Sequence, residues 1–290
     1  MICWPKSLIS DLARRRSVLF LGSGISKNAK NAAGLHPKDW GEFLQEGASK
    51  VSSSSKKALI TKCIKNGDYL LACELLKKIM GRDDFVHLLK DEFLTPKFEN
   101  AKIHEDIFLL DSRIVITPNF DKIYDVYADK ESKGSIIIKN YYDDDIADHI
   151  RQRERLILKI HGSITTPDKL IFSRTDYSEA RISYKHFYSI LEALIATHTF
   201  IFLGAGLNDP DIKLLLEDYS FRYQNSQKHL FILPKQSLDR EILKIHEENM
   251  NLKIITYDNK NNHQELLDSI GYLVKLVDAE RQTLAKTYDW

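Results

Sequence analysis

Short apolar runs that end in turn residues recur along this chain, and they constrain its fold more than any other feature. A continuous apolar run of this length, bounded by turn residues, is typical of a strand buried in a parallel sheet. Six such strands are predicted, at 17–22, 113–117, 155–160, 199–204, 229–233 and 252–257. Amphipathic helical patterns lie between and after them. The alternation predicts an α/β fold with a doubly wound, mainly parallel Rossmann-like sheet.

A long helical stretch, residues 38–110, separates the first two predicted strands. Its four segments of helical periodicity are more than a simple strand–helix crossover needs. We interpret it as an inserted helical module that covers or shapes a site. The Rossmann-like core then comprises 17–37 and 111–275, followed by a C-terminal helix at 261–286. We expect the whole chain, 1–290, to form a single domain.

The charge balance argues against a strongly basic surface, although it leaves room for a local basic patch. Lys and Arg number 42 and Asp and Glu number 41, so the net charge is +1, and direct nucleic-acid binding is not expected. No apolar run approaches the roughly 20 residues that a bilayer span needs. The N-terminus does not have the order of a signal peptide, because its basic residues follow the mildly apolar part. These patterns predict a cytoplasmic protein that does not associate with membranes.

Metal binding is not expected. The cysteines Cys3, Cys63 and Cys73 form no CxxC pair and offer no four-thiolate zinc site, so we expect reduced thiols and no zinc ribbon. The three consecutive aspartates at 143–145 could bind a metal, but consecutive side chains point in different directions. We therefore interpret the polar segment 141–154 as a solvated loop.

Glycine and serine follow the first predicted strand at once, in Gly22, Ser23, Gly24 and Ser26. Glycines there allow a ligand to approach the backbone, and a following helix offers free N–H groups to a phosphate. Lys27 stands in the place of the third glycine of the dinucleotide fingerprint. A tight turn that binds no ligand explains this stretch equally well.

Three further strands also end in polar residues or glycine. Asn119 and Asp121 follow the second, His161 follows the third, and Gly204 and Gly206 follow the fourth. Taken singly, the first two could cap a helix and the histidine could be a core residue. The carboxyl ends of strands in an open α/β sheet form the ligand crevice, however. Together they predict one shared site.

Five motifs in order resemble those of the sirtuin family, and more narrowly the bacterial sirtuin-like proteins that lack zinc. They are "FLGSGIS", "AAGLHPKDW", "ITPNFD", "LKIHGS" and "FLGAGLNDPDI". The resemblance extends over roughly residues 17 to 275. The chain departs from the family in lacking zinc-ribbon cysteines, in a longer loop after Ser26, and in Pro118, where a ribose-contacting glutamine is frequent.

The resemblance implies an NAD glycohydrolase that produces ADP-ribose and nicotinamide, with NAD as the substrate and no metal. Zinc-free relatives are similar to bacterial antiphage effectors that deplete NAD in abortive infection. An NAD-dependent protein deacylase and a non-catalytic sensor of NAD or ADP-ribose are the alternatives. Cyclisation in place of hydrolysis also stays open.

The resemblance also implies roles for individual residues. Asn119 is expected to orient the water or the ribose, His161 to accept a proton, and Asp121 to hold the nicotinamide amide or the sugar. Gly162 is expected to leave room for the cofactor. The first loop is expected to cradle the pyrophosphate and the last to line the adenosine end. The expected cofactor-binding residues are Gly22, Ser23, Gly24, Ser26, Thr117, Gly204, Gly206, Leu207 and Asn208.

Control of the activity must come from outside the site, because an unregulated NADase would kill its host. We expect a homo-oligomer or a separately encoded regulatory partner. Relatives imply a HerA-type ATPase, an Argonaute-like protein or a nucleotide-sensing protein for that partner. The exposed face of the helical module and the C-terminal helix are the expected contact surfaces. The pattern assigns no role to Lys159, two residues before His161.

Overall fold

A computed structural model of the protein describes residues 1–207, 210–223, 226–235 and 239–287. Within these residues, seven strands form one sheet in which every neighbouring pair is parallel, in the order β3-β4-β2-β1-β5-β6-β7. They are β1 Ser17–Leu21, β2 Ile114–Thr117, β3 Ile137–Asn140, β4 Leu156–Lys159, β5 Thr199–Leu203, β6 His229–Pro234 and β7 Leu252–Tyr257. The predicted doubly wound, parallel α/β fold is confirmed.

Helices cover both faces of the sheet. They are α1 Lys6–Ala13, α2 Ser23–Ser26, α3 Trp40–Ser49, α4 Ser54–Lys65, α5 Tyr69–Met80, α6 Arg82–Phe93, α7 Lys102–Leu109, α8 Ile123–Glu131, α9 Ile146–Arg151, α10 Arg174–Ser183, α11 Lys185–Thr197, α12 Pro210–Arg222, α13 Arg240–Asn249 and α14 Lys260–Thr287. Successive strand residues alternate between the two faces. Leu19 of β1 packs in the core with α1, α7, α8 and α14, whereas Val18 and Phe20 pack in the core with α9 to α12.

Two local predictions need correction. β3 was not predicted, because its four residues are all half-buried and it lies at the sheet edge, paired only with β4. An edge strand of this kind lacks the continuous apolar run of a central strand. The segment 141–154, predicted as a solvated loop, contains α9, whose Ile146 is fully buried in the core. One buried anchor in a strongly polar stretch was too weak a signal.

The four predicted helices of the inserted module are confirmed as α3 to α6. They share a hydrophobic core of their own, which also takes in Ile164, Leu170 and Phe172 from the segment after β4. The module therefore docks on the chain that follows the third predicted strand. Helix α7 does not belong to this core. It packs against α14, in the hydrophobic core that also contains α1.

The C-terminal helix is regular only after His263, because Asn261, Asn262 and His263 have left-handed backbone angles. None of the described helices is long and apolar enough to cross a membrane. Cys3 is exposed, Cys63 and Cys73 are buried, and all three are free thiols. The described ranges contain no group of three or more His, Cys, Asp or Glu side chains that could hold a metal ion.

Candidate active site

A cavity of about 540 Å³ lies between the carboxyl ends of the central strands and the helical module. β1 and β5 are neighbours in the sheet, yet β1 leads towards β2 on one side and β5 towards β6 on the other. This is the topological switch point at which open α/β sheets bind ligands. Cavities of this size hold small-molecule ligands in other proteins.

Two walls of different composition enclose the cavity. The core wall comes from the loops after the strands and consists of Gly22, Ser23, Ser26, Pro118, Asn119, Phe120, Asp121, His161, Ala205 and Gly206. The module wall comes from the segment before α3 and from the inserted helices, and consists of Pro37, Lys38, Asp39, Trp40, Gly41, Phe43, Gly67, Asp68, Tyr69, Leu70 and Phe93. Phe172 and Tyr177 lie where the two walls meet.

The loops after β1 and β5 touch each other directly. The N–H of Gly24 donates to the carbonyl of Gly204 at 2.9 Å. A Cβ on Gly22 would lie 2.4 Å from that same carbonyl oxygen, and one on Gly24 would lie 2.9 Å from the Gly204 Cα. Gly204 also has a φ of +62°, which favours glycine. The contact between loops therefore requires these glycines, whether or not a ligand is bound.

A buried hydrogen-bond network joins the first two strand ends. Ser26 Oγ donates to Asp121 Oδ2 at 2.8 Å, and Asn119 Nδ2 donates to Ser26 Oγ at 3.0 Å. Asp121 Oδ1 accepts from the N–H of Ile123, the first residue of α8, at 3.0 Å. Asp121 therefore lines the cavity and also satisfies a free N–H at the start of α8, although the N-cap position itself is Lys122. Asn119 is fixed with its amide nitrogen towards Ser26.

Thr117 supports this network from below. Its Oγ1 donates to the carbonyl of Leu21 at 2.7 Å and accepts from the N–H of Asn119 at 3.1 Å. Thr117 is 4% exposed and does not line the cavity. Its hydroxyl ties the end of β2 to the end of β1, so it holds the Asn119 backbone in place.

His161 reaches the cavity from the end of β4. The residue is 5% exposed, its ring lies 5.1 Å from the Tyr177 ring in an edge-on arrangement, and its carbonyl accepts from the N–H of Ile171 at 3.1 Å. The next residue, Gly162, has a φ of +82°, and a Cβ there would lie 2.8 Å from the Lys169 carbonyl oxygen. The structure therefore explains the glycine without reference to a cofactor. The chain turns sharply at Gly162, and the Lys169 backbone lies too close to leave room for a side chain.

Four of the eleven residues in the module wall are aromatic, and only one of these four, Trp40, stands in a motif quoted above. The Trp40 ring lies 5.6 Å from Tyr69 and 5.7 Å from Phe172, between centroids. Phe93 meets Phe120 of the core wall edge-on at 4.9 Å. Such a surface suits a flat ring. The available signal was the set of aromatic residues in the predicted module, but periodicity alone cannot show which of them point towards the strand ends.

Lys27, which replaces the third glycine of the fingerprint, closes the long loop after Ser26. Its Nζ lies 2.7 Å from Asp39 Oδ2 and 3.0 Å from Glu42 Oε2. Partial burial lowers the pKa of Lys27, but its hydrogen bonds and charge attraction to Asp39 and Glu42 outweigh this, and the pKa is raised above its usual value. The ammonium is therefore engaged with the start of α3.

The predicted site residues fall into three groups. The first lines the cavity and consists of Gly22, Ser23, Ser26, Asn119, Asp121, His161 and Gly206. The second lies behind the lining and consists of Gly24, Thr117, Gly204 and Leu207. Leu207 is 4% exposed and packs in the core. Asn208 lies outside the described residues.

The core wall combines groups that can act on a polar substrate. An amide, a carboxylate and an imidazole converge there, beside exposed Ser23 and the small Gly206. Such a set can orient a water molecule and accept its proton. The module wall opposite offers aromatic rings together with the charged side chains of Lys38, Asp39 and Asp68. The arrangement therefore favours a substrate with both a polar reacting centre and a flat ring.

Comparison with known proteins gives one family and several distant relatives. Residues 113–255 match the SIR2-like domain. The chain is 28% identical over 255 residues to defense-associated sirtuin 2 of Bacillus subtilis, covering 86% of this chain and 24% of that protein. It is 23% identical over 229 residues to the NAD(+) hydrolase ThsA of Acinetobacter baumannii, covering 79% and 44%. The ThsA protein of Bacillus cereus is 21% identical over 286 residues, covering 93% and 57%.

The chain thus spans between about a quarter and three fifths of the length of these curated relatives. The matched segment 113–255 contains the Asn119 and His161 strand ends and the loop after β5. The aligned regions extend well beyond it, over most of this chain. These comparisons confirm the resemblance drawn from the motifs, with a SIR2-like domain matched at 113–255.

Proposed function

We propose that this protein is an NAD glycohydrolase that cleaves NAD to ADP-ribose and nicotinamide. The observation that carries the proposal is the convergence of Asn119, Asp121 and His161 on one cavity at the switch point of a SIR2-like fold. Relatives named NAD(+) hydrolase support the choice of substrate. The aromatic module wall would suit the flat rings of NAD.

The reaction places modest demands on the protein. The bond between the ribose C1′ and the pyridinium nitrogen breaks, its electron pair stays with the nitrogen, and neutral nicotinamide leaves. Positive charge develops on the ribose, as in glycoside hydrolysis. Water oxygen then bonds to C1′ and gives up a proton. The protein therefore has to fix the geometry, place the water and receive that proton.

Asn119 and His161 divide these tasks in our proposal. The Asn119 amide nitrogen donates to Ser26, which leaves its Oδ1 to accept a hydrogen bond from the water or a ribose hydroxyl. The His161 imidazole, at the edge of the same cavity, receives the proton. Asp121 accepts hydrogen bonds from Ser26 and from the α8 backbone, so we assign it a positioning role.

Chromatographic analysis of NAD consumption by the purified chain tests this proposal. His161→Ala and Asn119→Ala should each lower the cleavage rate by at least about 100-fold, the usual size of losing a positioned acid–base group. His87→Ala, which removes an exposed histidine on α6, should leave the rate unchanged. Full turnover in both site variants would contradict the assignment. A cyclic product would indicate intramolecular attack in place of water.

We further propose that the protein is an antiphage effector that depletes the cytoplasmic NAD pool and so causes abortive infection. The support is the name of the Bacillus subtilis relative, defense-associated sirtuin 2. Activation by homo-oligomerisation, or by a separately encoded ATPase, Argonaute-like or nucleotide-sensing protein, would keep uninfected cells alive. NAD should fall after phage infection of cells that produce the protein, and not in cells that produce His161→Ala. Adding the protein encoded beside it should raise the rate in vitro.

A further inference from the structure

Lys159 is a lysine buried in the middle of the fold. It is the last residue of β4 and is 1% exposed. Its Nζ lies 2.6 Å from Asp125 Oδ2 of α8 and 2.5 Å from the carbonyl oxygen of Asp121. Asp125 is itself 2% exposed. Fully buried charged side chains are rare, and they need a partner because removing a charge from water costs much free energy.

The hydrogen bond from Lys159 to the Asp121 carbonyl is one of three that join residues 117–121 to residues 159–164. The N–H of Ile160 donates to the carbonyl of Thr117 at 3.0 Å, and the N–H of Ile164 donates to that of Phe120 at 2.8 Å. These two bonds are made by backbone and would form with any side chains. The third, to the carbonyl of Asp121, depends on the Lys159 side chain alone.

Asp121 is in turn linked to Asn119 through its own side chain and Ser26. The Asp121 carboxylate accepts from Ser26, and Ser26 accepts from the Asn119 amide. A shift of Asp121 would therefore move both partners of the network. His161 follows Lys159 by two residues, just beyond the end of β4. Lys159 thus connects the segment that carries the imidazole to the loop that carries the amide.

Stability alone does not explain an ion pair at this place. Replacing a buried ion pair with apolar side chains is often neutral or stabilising, because the charges no longer have to lose their hydration. Burial raises the pKa of Asp125 above its ordinary value, although the charge and hydrogen bond of Lys159 act in the opposite direction. The neighbouring β4 residues Leu156, Ile157 and Leu158 are all buried and apolar.

We infer that Lys159 and Asp125 form a positioning pair that holds the Asn119 loop in register with His161. Asp125 fixes the ammonium, and the ammonium fixes the Asp121 carbonyl. The link to catalysis rests on the proposed NAD-cleaving function, whereas the link to loop position does not. Neither residue lines the cavity, so their effect on the reaction would pass through Asn119.

The test compares a variant that lacks only the Lys159 charge with a variant that lacks the charges of both Lys159 and Asp125. Lys159→Met should destabilise the fold strongly, because it leaves the Asp125 carboxylate buried without its partner. Lys159→Met combined with Asp125→Ala should recover most of that thermal stability. In the double variant, kcat should still be about 100-fold below wild type, the size expected for a misplaced reacting group, with the Kd of ADP-ribose within about threefold of wild type. The exposed pair Lys244→Met with Glu248→Ala is the control.

Amide hydrogen exchange measures the loop position without reference to activity. The amides of 119–123 should exchange faster in the double variant than in wild type, while those of β1 and β5 stay protected. If stability, exchange and kcat all return to wild-type values, the pair is only structural and the inference is wrong. A wild type that leaves NAD intact, both alone and with the protein encoded beside it, would instead contradict the proposed function, and exchange alone would decide the inference.

A milder variant covers the case in which the double variant does not fold. Asp125→Asn keeps an oxygen that can face the ammonium, so the chain should fold. It should show faster exchange at 119–123 and a smaller loss of kcat, because a neutral amide holds the ammonium less firmly than a carboxylate does. Unchanged exchange and kcat in this variant would also overturn the inference.

Discussion

The two walls of the cavity are built in opposite ways. The core wall is polar and follows directly from strand ends, and buried hydrogen bonds such as Ser26–Asp121 hold its side chains. The module wall combines four aromatic rings with three charged side chains and belongs to an insertion with its own hydrophobic core. The core wall therefore supplies the groups that can act on bonds, and the module wall supplies shape.

The walls also differ in how they are joined to the rest of the fold. The sheet fixes the core wall through backbone hydrogen bonds. The module is joined by an aromatic contact around Phe172 and by partly exposed ion pairs, Lys77–Asp176 and Arg82–Asp168. Partly exposed pairs contribute little stability. Substitutions where the module meets the core should therefore change the shape of the cavity, whereas substitutions in the core wall should change the chemistry. Three experiments test this difference, from the largest expected effect to the smallest.

Phe172→Ala should have the largest effect, because Phe172 is 5% exposed and packs against the module rings Phe43 and Trp40. Truncating a buried phenylalanine costs about 3–5 kcal/mol of unfolding free energy. The same change at Phe221, which is 73% exposed, should cost less than about 0.5 kcal/mol. Urea unfolding of both variants measures the difference. Equal losses would mean that Phe172 does not join the walls.

Gly22→Ala should damage the core wall itself. The added Cβ would meet backbone atoms of the β5 loop at 2.4 and 2.5 Å, and backbone cannot move aside as a side chain can. We expect a loss of about 1–3 kcal/mol, the usual cost of overpacking, together with a fall in NAD cleavage. Gly206→Ala adds the same methyl group on the same wall, where nothing lies within 4 Å.

The matched glycine variants separate stability from access to the cavity. Gly206→Ala should keep the wild-type melting temperature and act on the KM of NAD, because its methyl group would project into open space beside the cavity lining. Thermal unfolding and steady-state kinetics on both variants provide the readouts. A Gly22→Ala protein as stable as wild type would show that the contact between loops can relax.

Lys77→Met should have the smallest effect of the three. Its partner Asp176 also accepts from the N–H groups of Phe172 and Ser173, so the carboxylate stays hydrogen-bonded after the lysine is removed. We expect urea unfolding to show a loss of less than about 1 kcal/mol of unfolding free energy, and a smaller loss at high salt, which screens the ion pair. Lys78→Met, at a neighbouring lysine that is 73% exposed, is the control. A loss of several kcal/mol of unfolding free energy would show that the ion pairs, and not the aromatic contact around Phe172, hold the module.

The patterns with strong physical signals were predicted correctly. Buried strands of a parallel sheet carry continuous apolar runs, so the six strands with such runs were found. β3 was missed because it is short, half-buried and on the edge of the sheet. The first two strand ends, at Gly22 and Asn119, and the third, at His161, were predicted to meet, because parallel strands bring their carboxyl ends to one edge. That edge does carry the cavity.

The order of residues in the chain could not show which neighbours each side chain would find. Lys159 had no role in the sequence, and Gly24, Gly204 and Thr117 were expected to touch the cofactor. In the fold, Lys159 reaches α8, the two glycines meet each other and Thr117 holds the end of β1. These contacts join segments far apart in the chain, and local periodicity carries no information about them.

The sequence by itself determined the parallel α/β sheet, the four helices between its first two predicted strands and the edge of the sheet where the cavity lies. Alternating apolar runs and strand-end residues are local properties, and they suffice for that. Only the tertiary structure decided which residues line the cavity and which support it from behind. It also decided that the module's aromatic rings form the opposite wall, because packing between an insertion and the sheet depends on shapes that one-dimensional patterns do not record.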